Sequence, residues 1–167
     1  MSITQREPTA ESNKLAKIPL NLEIWVCERE LLCLALDATH LARWTGEKLQ
    51  ITPSRVTRHS QAALATMLIY SYAVGRFASQ EIEAACTTDL SLAYLSNGNP
   101  TEWGTLRSFR RHHKDSLIGA LASLMFEAWK HQRTTRSPGL VATPDFQAEA
   151  SGRVHESARL DSMALDD

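Results

Sequence analysis

Apolar residues recur along this chain at steps of three and four, and no segment alternates over several residues as a half-buried strand would. From Glu28 to Trp44 the positions Leu31, Leu32, Leu34, Ala35, Ala38, Leu41 and Ala42 trace one face of a first long helix. Glu28 and Glu30 at its start and Arg43 at its end suit the helix dipole, and Gly46 follows as a terminator. Ile51 to Arg58 reads as a basic connector interrupted by Pro53. Gln61 to Val74, with Ser60 as N-cap, is apolar on nearly all sides, the pattern of a helix at the centre of a bundle. Ser79 is placed to cap a short helix, Gln80 to Cys86, and an apolar turn, Leu90 to Leu95, comes next. Asn97-Gly98-Asn99-Pro100 is the clearest loop in the chain. One long helix is expected from Trp103–Thr105 to about Gln132. Thr143-Pro144-Asp145 then opens a weak last helix through Phe146, Ala150, Val154 and Ala158 to about Met163.

The pattern therefore predicts an all-α fold, a compact helical bundle over residues 18–133 with a helix-turn-helix-like arrangement. A flexible N-terminal arm, 1–17, precedes it, and an acidic linker and tail, 134–167, follows. Leu64, Leu68, Tyr72, Ile82, Phe109 and Leu121 are the expected core. Composition changes little in this picture: 43% hydrophobic and 22% charged residues is an ordinary globular balance, and 7 Gly with 6 Pro leaves few turns for a many-stranded β protein.

Several chemistries are set aside. The longest uncharged run, His59 to Gly75, contains Gln61, Thr66 and Ser71 and falls short of the ~20 apolar residues that span a bilayer, so no membrane contact is expected. Cys27, Cys33 and Cys86 form no C-x-x-C pair and read as buried thiols in a reducing, cytoplasmic compartment. Cys27, Cys33 and His40 have the wrong spacing for a zinc pattern. His112 and His113 are neighbours on a helix and point about 100° apart, so they do not share an acid–base site. There is no phosphate-binding Gly-rich loop and no Gly-x-Ser-x-Gly elbow. No catalytic residue, cofactor or metal is expected.

Charge is more informative. The net charge of −1 conceals a middle segment, 43–136, with 12 basic and 7 acidic residues, and an end, 137–167, with 2 basic and 6 acidic. Such asymmetry suggests contact with nucleic acid, although a solvated charged face is common. Within the middle segment, Arg107, Arg110, Arg111 and Lys114 fall within about 100° of one another on a helix, with Leu106 and Phe109 on the other side. A short helix, a Gly/Pro loop and then a basic helix is the order of a helix-turn-helix. Arginine's planar fork suits guanine edges and phosphates. The expected contacts with duplex DNA are Arg107, Arg110, Arg111 and Lys114, with Thr105 and His113 beside them and Arg55 and Arg58 as outlying phosphate contacts.

One constellation carries a resemblance. Tyr70, Tyr72 and Gly75 end the Leu-rich helix; Ser79, Ile82, Glu83 and Cys86 follow; then come Asp89, Tyr94 and Leu95, Pro100, and finally Thr105, Leu106, Phe109, Arg110 and His113. In order and spacing this resembles the N-terminal helical domain of bacterial insertion-sequence transposases of the Asp-Asp-Glu type, over roughly residues 50–126. Trp103-Gly104 departs from the family, which usually carries a polar residue at that helix entrance. The resemblance implies recognition of transposon-end DNA. It does not extend to the RNase-H-like catalytic domain, since only 31 residues, acidic and poor in strand formers, follow Arg136. The expected function is thus a non-catalytic DNA-binding module. The alternatives are a protein-interaction module pairing with a full-length transposase or with itself as a homo-oligomer, and a degenerate transposase fragment.

Overall fold

A computed structural model describes residues 17–42, 59–135 and 142–166, and every regular element among them is helical. A short 3-10 turn, Leu22–Ile24, leads into α1 (Glu28–Leu41), α2 (Gln61–Ala73), α3 (Ser79–Ala85), α4 (Leu90–Leu95), α5 (Trp103–His112), α6 (Lys114–Thr135) and α7 (Phe146–Asp166). The all-α expectation is met. The extension of the first helix to Trp44, Gly46, and the connector with Pro53, Arg55 and Arg58 lie outside the described residues, as do residues 1–16 of the expected arm.

α2 is the axis of the fold. Leu64 to Ala73 are buried without interruption, and α1, α4, α5 and α6 pack around the helix. Ser60 caps it as expected, its hydroxyl accepting from Ala63 N–H at 3.1 Å. At its end Gly75 adopts φ +85°; an added Cβ there would lie 3.1 Å from Leu20 Cγ and 3.3 Å from the Leu20 carbonyl oxygen. Both the left-handed backbone and the close approach of the N-terminal segment favour glycine. All six expected core residues are buried.

Three expectations need correction. The helix expected from Trp103 to Gln132 is two helices, broken at His113 (φ −119°, ψ 26°). Phe109 and Leu106 face the core from α5, and Leu117, Leu121 and Leu124 do so from α6. The apolar stripe drifts in azimuth between the two halves, and a change of helix direction lets both be buried. Second, only Cys86 is buried; Cys27, which precedes α1, and Cys33, on α1, are exposed.

Third, residues 146–166 are not a loose tail. α7 lies along α6 and also meets α3 and α5. Phe146, Ala150 and Val154 belong to the main apolar core, and Phe146 packs against Trp129 and Phe126 with ring centroids 5.7 and 5.8 Å apart. The core thus runs past residue 133 into α7.

Candidate nucleic-acid interface

α5 presents the expected basic surface, but in divided form. Trp103 begins the helix after the Asn97–Pro100 loop, where Asn97 and Gly98 take φ +53° and +71°. Glu102, at the N-cap, makes no side-chain cap. The cap comes from α3 instead: Glu83 Oε2 accepts from Trp103 N–H at 2.9 Å. This fixes α5 against α3, and α2 forms the other main contact.

Arg111 and Lys114 are exposed and Arg107 is half-buried; among the described residues none of the three forms an ion pair. Thr105 is half-buried on the first turn. Asp115, also exposed, adjoins Lys114. Arg55 and Arg58 lie outside the described residues. Arg107 and Arg111, one turn apart on α5, and Lys114, at the start of α6, therefore all reach solvent.

Arg110 is a correction. It is 3% exposed and cannot share that surface. At about 100° per residue it lies only about 40° from Leu106, and the two enter the interior together. Its Nη1 pairs with Asp161 Oδ2 on α7 at 2.6 Å and also donates to Ser157 Oγ at 2.9 Å and Ser79 Oγ at 3.2 Å. Asp161, itself 2% exposed, accepts from Ser79 N–H at 2.8 Å and from the Ser79 hydroxyl. Ser79 is therefore not the cap of α3. Ala78 holds the cap position without a side-chain bond, and Asp161 supplies the missing acceptor from 82 residues away.

The network continues to α2. Ser157 donates to the Phe77 carbonyl at 2.6 Å, so its oxygen receives the Tyr72 hydroxyl at 2.9 Å. Burial pushes the Tyr72 hydroxyl above its ordinary pKa, with Arg110 and the Ser157 bond pulling the other way. His113 is likewise drawn inward. Its ring stacks on Phe109, centroids 4.4 Å apart, and its Nε2 is buried, so it packs beneath the cationic surface rather than standing on it.

Sequence reasoning missed Asp161, Ser157 and Arg153, the partners on α7. Arg153 is buried and closes the end of α2: it donates to the Tyr72 carbonyl at 2.7 Å, and to the Leu20 and Pro19 carbonyls at 2.9 and 2.7 Å. Glu149 holds its Nε at 2.8 Å. The signal was spacing alone. Phe146, Ala150, Val154, Ser157 and Asp161 continue one stripe at steps of three and four, its last members polar.

The motif residues behind the transposase resemblance are mostly packing residues. Gly75 admits Leu20; Ile82, Cys86, Leu95, Leu106 and Phe109 are buried; Glu83 caps α5; Ser79 and Arg110 meet Asp161. Asp89 caps α4 through Leu92 N–H at 3.1 Å and pairs with Arg76 at 2.6 Å. Tyr94 is exposed. Among the described residues no group of three or more His, Cys, Asp or Glu side chains is arranged to hold a metal ion, and no helix is long and apolar enough to cross a membrane. No family model, curated protein or solved structure matches the chain.

Proposed function

We propose that the chain is a non-catalytic module that binds duplex DNA in the cytoplasm through the outer surface of α5 and the first turn of α6, in the manner of a helix-turn-helix. One observation carries this reading: Arg107 and Arg111, one turn apart on α5, and Lys114, the first residue of α6, reach solvent without carboxylate partners among the described residues, beside buried contacts that fix α5. Unpaired cations on a rigid helix release counterions from DNA at little ordering cost, and arginine adds bidentate bonding to phosphate or guanine. The likeness of the packing motif to transposase N-terminal domains supports transposon-end DNA as the target class.

The test is a fluorescence-anisotropy titration of labelled duplex at low and moderate salt. Wild type is expected to bind with an affinity that falls steeply with salt, about 0.9 in log–log slope for each phosphate neutralised. Replacing Arg107, Arg111 and Lys114 together by Gln is expected to abolish binding and leave the melting curve unchanged. Absence of wild-type binding at low salt, or equal binding by the variant, would overturn the reading in favour of a protein-interaction module.

A further inference from the structure

The buried network gives α7 a second relation to the surface of α5. Arg110 lies on the same turn as Arg107 and Arg111, yet its charge is consumed by Asp161 and Ser157 of α7 and by Ser79. α7 is also attached unevenly. Its first half is buried through Phe146, Ala150, Arg153 and Val154, whereas from His155 to Leu165 the only buried residues are Ser157 and Asp161, both polar. Met163 and Leu165, the large apolar side chains near its end, are about half exposed. A buried ion pair adds little net stability, because both charges regain hydration when they separate. The last turns are therefore the part of α7 that separates at least cost, and their separation would uncover Arg110.

Resting on the DNA-binding reading, we propose that the C-terminal half of α7 is an autoinhibitory clamp on α5. Asp161 occupies the Arg110 guanidinium as a stand-in for a DNA phosphate. When duplex DNA engages Arg107, Arg111 and Lys114, its phosphates compete with Asp161, the helix beyond Val154 peels back, and Arg110 becomes a fourth contact. The apolar half of α7 stays docked throughout.

Hydrogen exchange on the full wild-type chain, with and without a short duplex at low salt, tests the clamp. Amides from Ser157 to Leu165 are expected to lose protection when DNA binds, while those from Phe146 to Val154 keep it. In parallel, Asp161→Asn is expected to bind DNA three- to tenfold more tightly than wild type, with a similar salt slope, since Arg110 neutralises a phosphate in both complexes. Glu156→Gln, the same charge change on the exposed side of α7, is expected to alter affinity much less. DNA binding with unchanged or increased protection of 157–165, or an Asp161→Asn affinity no higher than that of Glu156→Gln, would overturn the clamp and leave DNA binding standing. No binding by wild type or by Asp161→Asn would overturn both.

Discussion

α2 and α7 are held in the same core by opposite chemistry. α2 is buried on all sides by apolar side chains, and little but Thr66, Ser71 and the two tyrosine hydroxyls interrupts its surface. α7 buries three apolar residues in its first half and then continues inward with Arg153, Ser157 and Asp161. The first mode is non-directional and tolerates rotation of the helix. The second is directional: Arg153 must reach three carbonyls and Asp161 must reach both Ser79 and Arg110. α7 thus sets the positions of the end of α2, the start of α3 and the inner side of α5, which apolar packing alone leaves loose.

Removing α7 is expected to have the largest effect. A chain ending at Thr135 is expected to melt more than about 10 °C below the full chain. Phe146 and Val154 each forgo roughly 1.5–3 kcal/mol of burial, and about 1 kcal/mol shifts a chain of this size by roughly 2–4 °C. Circular dichroism melts of the two chains decide it; coincident curves would make α7 the ornament that its sequence suggests.

A milder break removes one directional contact. Arg153→Ala leaves the Leu20 and Pro19 carbonyls without this donor and the Tyr72 carbonyl with only the long Gly75 N–H bond at 3.4 Å, at about 1–3 kcal/mol for each group that water does not reach. Urea denaturation is expected to show a loss of roughly 2–4 kcal/mol, with exchange rising first at the N-terminal segment and the end of α2.

The fold was legible where apolar periodicity decides it. α1, α2 and α4 begin where the pattern places them; at α2 and α4 a capping side chain coincides with the stripe, and at α1 the stripe alone suffices. Legibility failed where the determinant lies far along the chain. Ser79 has the sequence of an N-cap, but Asp161 takes that role from 82 residues away. Arg110 has the composition of a surface cation, but its proximity in azimuth to Leu106 counted for more once α7 supplied a carboxylate. The acidic tail looked too polar to pack because its buried polar residues have partners on four other segments, which no local window contains. Arg107, half-buried, and Arg111 and Lys114, exposed, were legible as outward-facing because reaching solvent needs no distant partner.

The smallest expected effect sharpens the contrast at α2. Burial pushes the Tyr70 hydroxyl up to about 12 from an ordinary value of 10.0, with the nearby Asp89 and Glu28 carboxylates adding to the rise and Ser91 opposing it. An acid whose pKa is higher in the folded state stabilises the fold fully below the unfolded value, and the contribution fades as pH climbs through 10 toward 12. Denaturation midpoints at pH 9 and pH 11 are expected to fall for wild type, and to fall less for Tyr70→Phe. An identical drop in both would place the alkaline sensitivity elsewhere, at Tyr72 first.

The division of the α5 arginines between fold and surface, Arg110 inside and Arg111 outside, is open to a direct test. Equilibrium unfolding of Arg110→Ala beside Arg111→Ala, one residue apart, tests it most directly. Arg110→Ala removes the cation that Asp161, Ser157 and Ser79 share and is expected to cost about 1.5–3 kcal/mol, whereas Arg111→Ala is expected to stay within about 0.5 kcal/mol of wild type. Equal stabilities for the two variants would contradict the division and return Arg110 to the outer face.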